Sequence, residues 1–177
     1  MPTVKEVLND TKKRLKEQGI DTFSLDSSLL VSEVTGFTKI QLVTHDRDEV
    51  TVEQLDRLEN LVEERLKNKP MQYILGHCEF MGLDFKVTEN TLIPRGDTEN
   101  IVEEVIATIE DSGYNTVLDM CTGTGAIAIS VAHYTKAKVT ASDISKKALE
   151  VARENAQNLN ADVNFIESDL FENINEK

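Results

Sequence analysis

A glycine turn between a short apolar strand and an apolar helix most restricts the folds open to this 177-residue chain. The strand is predicted at Thr116–Met120, the turn at Cys121–Gly125 and the helix at Ala126–Ala132. Glycine lets the backbone turn tightly and approach a ligand because it has no Cβ, and a helix start offers N–H groups without partners. This order of elements predicts a parallel α/β sheet with a ligand site at the turn.

Two further predicted strands also end in acidic residues. The strand at Lys138–Ser142 is followed by Asp143, and the strand at Val163–Glu167 is followed by Asp169. Open α/β sheets bind ligands in the crevice at the carboxyl ends of their strands. Asp143 lies 20 residues after Gly123, where a carboxylate can accept hydrogen bonds from both hydroxyls of a ribose. Together these positions predict a nucleotide-type ligand.

The residues leave two kinds of nucleotide open. The run Gly123–Ala128 fits the pattern G-x-G-x-x-A, so an NAD-type dinucleotide-binding protein is one alternative. Asp119 favours S-adenosylmethionine instead, because a carboxylate repels a doubly anionic pyrophosphate and attracts a sulfonium and an ammonium group. Asp169 could accept a hydrogen bond from an adenine amino group.

The first part of the chain, residues 1–70, has the pattern of a small helical bundle. Capping boxes start at Thr3 and Thr51, and Ser24 and Thr38 are predicted to cap two further helices. Apolar residues recur at helical spacing after each of these positions. We therefore predict about four or five amphipathic helices joined by short loops.

A connector and a second module follow the bundle. Residues 71–95 are predicted to contain a β-hairpin that turns at Gly82–Asp84. The module at residues 96–177 is predicted to open with a helix capped by Asp97 or Thr98. The apolar stripe of that helix would consist of Ile101, Val102, Val105, Ile106 and Ile109.

Composition excludes several classes of protein. The formal net charge of −13 argues against a protein that binds nucleic acid through its phosphates, since such a protein needs a basic surface. The cysteines Cys78 and Cys121 are too few for a disulfide scaffold or a zinc site and suit a reducing cytosol. No run approaches the ~18 apolar residues of a membrane span, and the start lacks the apolar run of a signal peptide. We expect a cytoplasmic protein without a metal site, direct nucleic-acid contact or membrane contact.

Four motifs in order resemble the HemK/PrmC family of release-factor glutamine methyltransferases. They are Pro70–Gly76, Phe80–Val87, Leu92–Glu99 and Val117–Ala128. The resemblance implies an α+β multi-domain protein with an N-terminal helical bundle, a β-hairpin connector and part of a Rossmann-like class I methyltransferase domain. It also implies that the bundle helps to bind a peptide-chain release factor. The enzyme would methylate the side-chain amide N5 of the glutamine in that factor's Gly-Gly-Gln motif.

The resemblance implies S-adenosylmethionine as the cofactor and gives its binding residues roles. The turn Cys121–Gly125 would wrap the methionine part, Asp143 would hold the ribose with Ile144 beside it, and Asp169 and Leu170 would flank the adenine. The predicted cofactor-binding residues are Asp119, Cys121, Thr122, Gly123, Thr124, Gly125, Asp143, Ile144, Asp169 and Leu170. Cys121 stands where many methyltransferases have a glycine, and Gly96 stands where the family commonly has proline.

The family's catalytic motif, Asn-Pro-Pro-Tyr, does not occur in this sequence. The only prolines are Pro2, Pro70 and Pro94, and none follows an asparagine. We therefore expect a C-terminally truncated piece of the enzyme, without catalytic residues and inactive on its own. The strand Thr116–Met120 would then form a sheet edge through which the chain could self-associate. A ribosomal-protein glutamine methyltransferase and a non-catalytic interaction module are the remaining alternatives.

Overall fold

The computed structural model describes residues 1–174. The chain forms two compact units, Met1–Leu75 and Gly76–Lys177. The predicted connector is divided between them, because its first residues form a helix of the first unit and its hairpin lies in the second. Residues 175–177, after which the family resemblance implies a fourth strand, lie outside the described part.

The first unit is helical, as predicted. Capping boxes begin two of its helices: the Glu6 N–H donates to the Thr3 hydroxyl at 3.3 Å, and the Gln54 N–H donates to the Thr51 hydroxyl at 3.2 Å. Buried side chains on the helices form one core. The helices are α1 (Val4–Glu17), α2 (Phe23–Thr35), α3 (Gln41–Thr44), α4 (Val52–Leu66) and α5 (Met71–Leu75).

The predicted cap at Ser24 is wrong. Helix α2 begins at Phe23 and Ser24 lies in its first turn, because the Asp26 N–H already donates to the carbonyl of Thr22 at 2.9 Å. The Thr22 hydroxyl donates to the Asp26 carboxylate instead of capping a backbone N–H. Thr38 does accept from the Gln41 N–H at 3.3 Å, at the start of α3.

The second unit opens with the hairpin of β1 (His77–Phe80) and β2 (Leu83–Lys86). Its turn consists of Met81 and Gly82, with φ of +53° and +71°. The turn predicted at Gly82–Asp84 is therefore wrong. A two-residue hairpin loop with positive φ at both positions keeps the twist of the strands, and the residues after Gly82 pair with β1.

A 3₁₀ turn at Gly96–Thr98 leads into α6 (Glu99–Ser112). Neither Asp97 nor Thr98 caps this helix with its side chain, which corrects the sequence prediction. The 3₁₀ turn gives Thr98 a helical backbone, whereas a capping residue needs an extended one. The predicted apolar stripe is also too wide, because Ile101 is 56% exposed.

The rest of the unit is a three-stranded parallel sheet with connecting helices, which agrees with the sequence prediction. Its strands are β3 (Thr116–Met120), β4 (Lys138–Asp143) and β5 (Val163–Glu167), in the order β3-β4-β5. Helix α7 (Ala126–Tyr134) connects β3 to β4, and helix α8 (Lys146–Asn158) connects β4 to β5. This topology brings the carboxyl ends of all three strands together at one end of the sheet.

One face of this sheet is open. Leu118, Thr140, Ile166 and Ile174 line a groove of about 710 Å³ on that face. Within the described residues β3 has a strand on one side only, so the self-association predicted from the sequence would use this edge. It stays a prediction, which light scattering at high concentration would test. No described helix is both long and apolar enough for a membrane span.

Candidate functional site

The predicted ligand turn forms a loop that crosses from β3 over β4 into α7. Cys121, Gly123 and Gly125 all have left-handed backbones, with φ of +62°, +57° and +81°. The Thr122 N–H donates to the carbonyl of Ser142 in β4 at 3.0 Å. The Gly125 N–H donates back to Thr122 O at 2.9 Å. These bonds fix the loop against the carboxyl end of the sheet. The loop accommodates the side chain of Cys121, which is exposed.

Asp119 lies beneath the loop. Its Oδ2 accepts from the Thr122 hydroxyl at 2.6 Å and from the Ala128 N–H at 3.2 Å. Burial raises the pKa of the Asp119 carboxyl, although these two hydrogen bonds oppose the rise. Within the described residues its Oδ1 has no hydrogen-bond partner, so it remains available to a ligand.

Asp143 joins the loop to the end of β4. Its Oδ2 accepts from the Gly123 N–H and its Oδ1 from the Ser145 N–H, each at 2.9 Å. Ser145 then caps α8, as predicted, by accepting from the Ala148 N–H at 3.2 Å. A carboxylate oxygen can accept more than one hydrogen bond, so Asp143 can also accept from a ligand.

The end of β5 lies beside the end of β4. The Ser168 N–H donates to the carbonyl of Asp143 at 3.1 Å. This bond brings the segment that begins at Asp169 to the same carboxyl end of the sheet. Leu170 is 56% exposed and has a φ of +47°, and Ile144, after β4, is 66% exposed. Hydrogen bonds thus join Asp119 and Asp143 to the loop. The side chains of Ile144, Asp169 and Leu170 are exposed at the surface.

Sequence reasoning missed Asn155, which is 1% exposed and donates to the carbonyl of Thr124 in the loop at 3.0 Å. A signal for it was present in the sequence. Asn155 is a polar residue within the apolar stripe of α8, between Ala152 and Ala156. A polar residue in such a position has to find buried hydrogen-bond partners. No group of His, Cys, Asp and Glu side chains in residues 1–174 could hold a metal ion.

The two loop glycines give a matched pair of variants for stability. A Cβ at Gly125 would lie 2.7 Å from Ile129 Cδ1 and 3.2 Å from Ala152 Cβ, whereas a Cβ at Gly123 meets no atom within 4 Å. Both variants strain a left-handed backbone, and only Gly125→Ala adds overpacking. We expect Gly125→Ala to lower the free energy of unfolding by about 1–3 kcal/mol more than Gly123→Ala. Urea denaturation measures both, and equal losses would contradict the packing argument.

Comparison with known proteins covers both units. Residues 6–76 match the model of the PrmC N-terminal domain, and residues 100–177 match the methyltransferase small domain. Proteins named release factor glutamine methyltransferase are 39% identical over 89% of this chain in Moorella thermoacetica and 40% identical over 96% in Clostridium acetobutylicum. The chain belongs to the HemK/PrmC family.

The chain spans 56% and 60% of the length of these two HemK/PrmC relatives. A relative from Geobacter sulfurreducens is 36% identical over 99% of this chain and 61% of its own length. The solved structure of Pyrococcus abyssi tRNA (uracil-54, C5)-methyltransferase in complex with S-adenosyl-L-homocysteine is 26% identical, covering 51% of this chain and 22% of its own, with a TM-score of 0.44. Because that score is low, the fold assignment rests on the sheet topology and the family models.

Proposed function

We propose that this chain forms the cofactor-binding part of an S-adenosylmethionine-dependent methyltransferase that modifies a glutamine of a peptide-chain release factor. The proposal takes its reaction and its substrate from the names of the relatives. The match of residues 6–76 to the PrmC N-terminal domain supports a docking role for the helical bundle. A role in translation supports a cytoplasmic location.

The choice of cofactor rests on one observation: Asp119 already accepts a hydrogen bond from the first turn of α7. The Ala128 N–H is one of the donors that a helix start can offer to a phosphate, and it already donates to the Asp119 carboxylate. A pyrophosphate at this place would meet a negative charge instead of a free donor. The ammonium group of S-adenosylmethionine would meet the available oxygen of the same carboxylate, which is a favourable ionic contact.

The other residues of the site fit the remaining parts of this cofactor. Asp143 can accept from ribose hydroxyls while it holds Gly123 in place. Gly123 has open space where other residues carry a Cβ, so a ligand can approach its backbone closely. The exposed apolar side chains of Ile144 and Leu170 can contact an adenine ring. When bound, S-adenosylmethionine supplies an electrophilic methyl group on its sulfonium.

Calorimetric titration of the 177-residue chain tests the cofactor. S-adenosylmethionine and S-adenosylhomocysteine are expected to bind, and NAD is expected not to bind. Binding of NAD alone would establish the dinucleotide alternative. If none of the three binds, the proposal that this chain holds the cofactor is overturned.

Methyl transfer by the 177-residue chain is expected to be undetectable even when cofactor binds. An amide nitrogen is a weak nucleophile, so the enzyme has to hold it in line with the methyl group, and such orientation can contribute up to ~7–11 kcal/mol. The Asn-Pro-Pro-Tyr motif that would do this in the family does not occur in the sequence. Radiolabelled methyl on a release factor incubated with this chain would disprove the expectation.

A further inference from the structure

Asn155 is a buried polar residue of α8 that the proposed cofactor contacts do not include. Its Oδ1 accepts from the Lys86 N–H at 2.8 Å. Its Nδ2 donates to the carbonyl of Lys86 and to the carbonyl of Thr124, each at 3.0 Å. The side chain therefore uses both amide hydrogens and its oxygen, and it joins the hairpin to the glycine loop.

On the hairpin side, Asn155 occupies the place of a neighbouring strand. The Val87 N–H donates to Gly76 O at 2.9 Å, and groups of successive residues alternate in direction along an antiparallel pair. The N–H and C=O of Lys86 therefore point away from β1, and the Asn155 amide takes both. Lys86 also pairs with Glu154 through its side chain, with Nζ 2.7 Å from the carboxylate.

On the loop side, Asn155 holds the peptide between Thr124 and Gly125. The carbonyl of this peptide accepts from Asn155, and its N–H donates to Thr122 O at 2.9 Å. Ala152, one turn earlier on α8, lies against Gly125, so that a Cβ added to this glycine would be 3.2 Å away. Both the carbonyl and the N–H of the peptide that precedes α7 are thus hydrogen-bonded, and Ala152 packs against it.

We propose that Asn155 is a positioning residue for cofactor binding, which fixes the glycine loop by tying the Thr124 carbonyl to the β2 backbone. This inference rests on the proposed function, because the loop is taken to be the cofactor site. Without the Asn155 amide, the carbonyls of Lys86 and Thr124 lose this donor, and the Thr124–Gly125 peptide is held only through its N–H. The orientation of the neighbouring Gly123 N–H, which Asp143 binds, would change with it.

Asn155→Asp is the sharpest variant, since aspartate has the same shape and can still accept from the Lys86 N–H. As a carboxylate it cannot donate, so it faces both carbonyls without a hydrogen bond. We expect S-adenosylmethionine to bind the variant of the 177-residue chain at least about tenfold more weakly near pH 8. The added negative charge would by itself attract this cation, so a loss cannot arise from long-range charge.

Two controls separate positioning from general stability. Glu154→Gln, on the same helix, removes the negative charge that pairs with Lys86 without touching the loop, and it should change the affinity by less than about twofold. Val102→Ala weakens the core of the same unit at a fully buried residue and should leave the affinity of the folded protein equally unchanged. Asn155→Ala serves as the second variant if Asn155→Asp does not fold.

The outcomes of this experiment are distinct. A loss confined to the Asn155 variants supports the proposal, and a loss no greater than that of Val102→Ala overturns it. If the unchanged chain binds no S-adenosylmethionine, the proposed function fails, and the NMR amide shifts of Gly123 and Gly125 decide the positioning role alone. Movement of both shifts in Asn155→Asp but not in Glu154→Gln supports the role, and unchanged shifts overturn it.

Discussion

Replacing Asp143 by alanine is expected to weaken the binding of S-adenosylmethionine by about 100-fold or more. The Asp143 carboxylate would accept two hydrogen bonds from the ribose hydroxyls, and a hydrogen bond to a charged group contributes about 1.5–3 kcal/mol. The variant would therefore lose about 3 kcal/mol of binding free energy. The variant also removes the acceptor of the Gly123 N–H, which holds the loop. Calorimetric titration of the folded variant measures the loss.

Asp162→Ala is the matched control for Asp143→Ala. Asp162 is an exposed aspartate that precedes β5, so it lies at the amino end of that strand and away from the loop. Its replacement removes the same charge from the chain and should leave the affinity unchanged. Equal losses in the two variants would mean that Asp143 acts only through net charge, which would remove it from the site.

Replacing Asp119 by asparagine is expected to weaken binding by about tenfold without loss of fold. The Asn oxygen can still accept from the Thr122 hydroxyl and the Ala128 N–H, which are the contacts of the carboxylate in the structure. What is lost is the negative charge, and a hydrogen bond to a charged partner exceeds a neutral one by about 1–1.5 kcal/mol. An unchanged affinity in Asp119→Asn would contradict an ionic contact with the cofactor.

The pH dependence of the same variant provides an independent measurement. Burial raises the pKa of Asp119, so the carboxylate that attracts the cofactor is lost on acidification at a pH above the ordinary aspartate range. The affinity of the unchanged chain should fall there, and that of Asp119→Asn should fall less. A parallel decline in both proteins would assign the titration to another group.

Stability should show the opposite trend at Asp119. Because its pKa is raised in the folded state, the folded chain binds its proton more tightly than the unfolded chain does. The free energy of unfolding of the unchanged chain, relative to Asp119→Asn, should therefore fall as the pH rises from the unfolded to the folded pKa. At neutral pH the variant should be at least as stable as the unchanged chain, as urea denaturation would show.

The order of strands and helices around the site could be predicted because the signals are local. The apolar run before Cys121, the glycines after it and the serine cap at Ser145 each specify their element from a few neighbouring residues. The carboxylates Asp119 and Asp143 could be placed at strand ends for the same reason. Their hydrogen bonds could not, because Ala128 and Gly123 reach them only once the loop has folded back.

The wrong hairpin turn and the missed Asn155 concern positions that distant contacts decide. Met81 adopts a left-handed backbone in the hairpin turn although it is not glycine. Its N–H donates to the Glu99 carboxylate and its carbonyl accepts from the Tyr134 hydroxyl, each at 2.7 Å. These partners are 18 and 53 residues away. Asn155 is a similar case, since its contacts span 31 and 69 residues.

The presence of a separate hydrophobic core in each of the two units has a consequence for cooperativity. One core is formed by the α1–α4 side chains and the other by the hairpin, the sheet and its helices. Heat is expected to melt them as two transitions, so a single melting temperature would describe neither. Tryptophan is absent, so tyrosine fluorescence comes from Tyr73 in one unit and from Tyr114 and Tyr134 in the other. Scanning calorimetry would resolve the two transitions, and the NMR signals of these tyrosines would assign each transition to its unit.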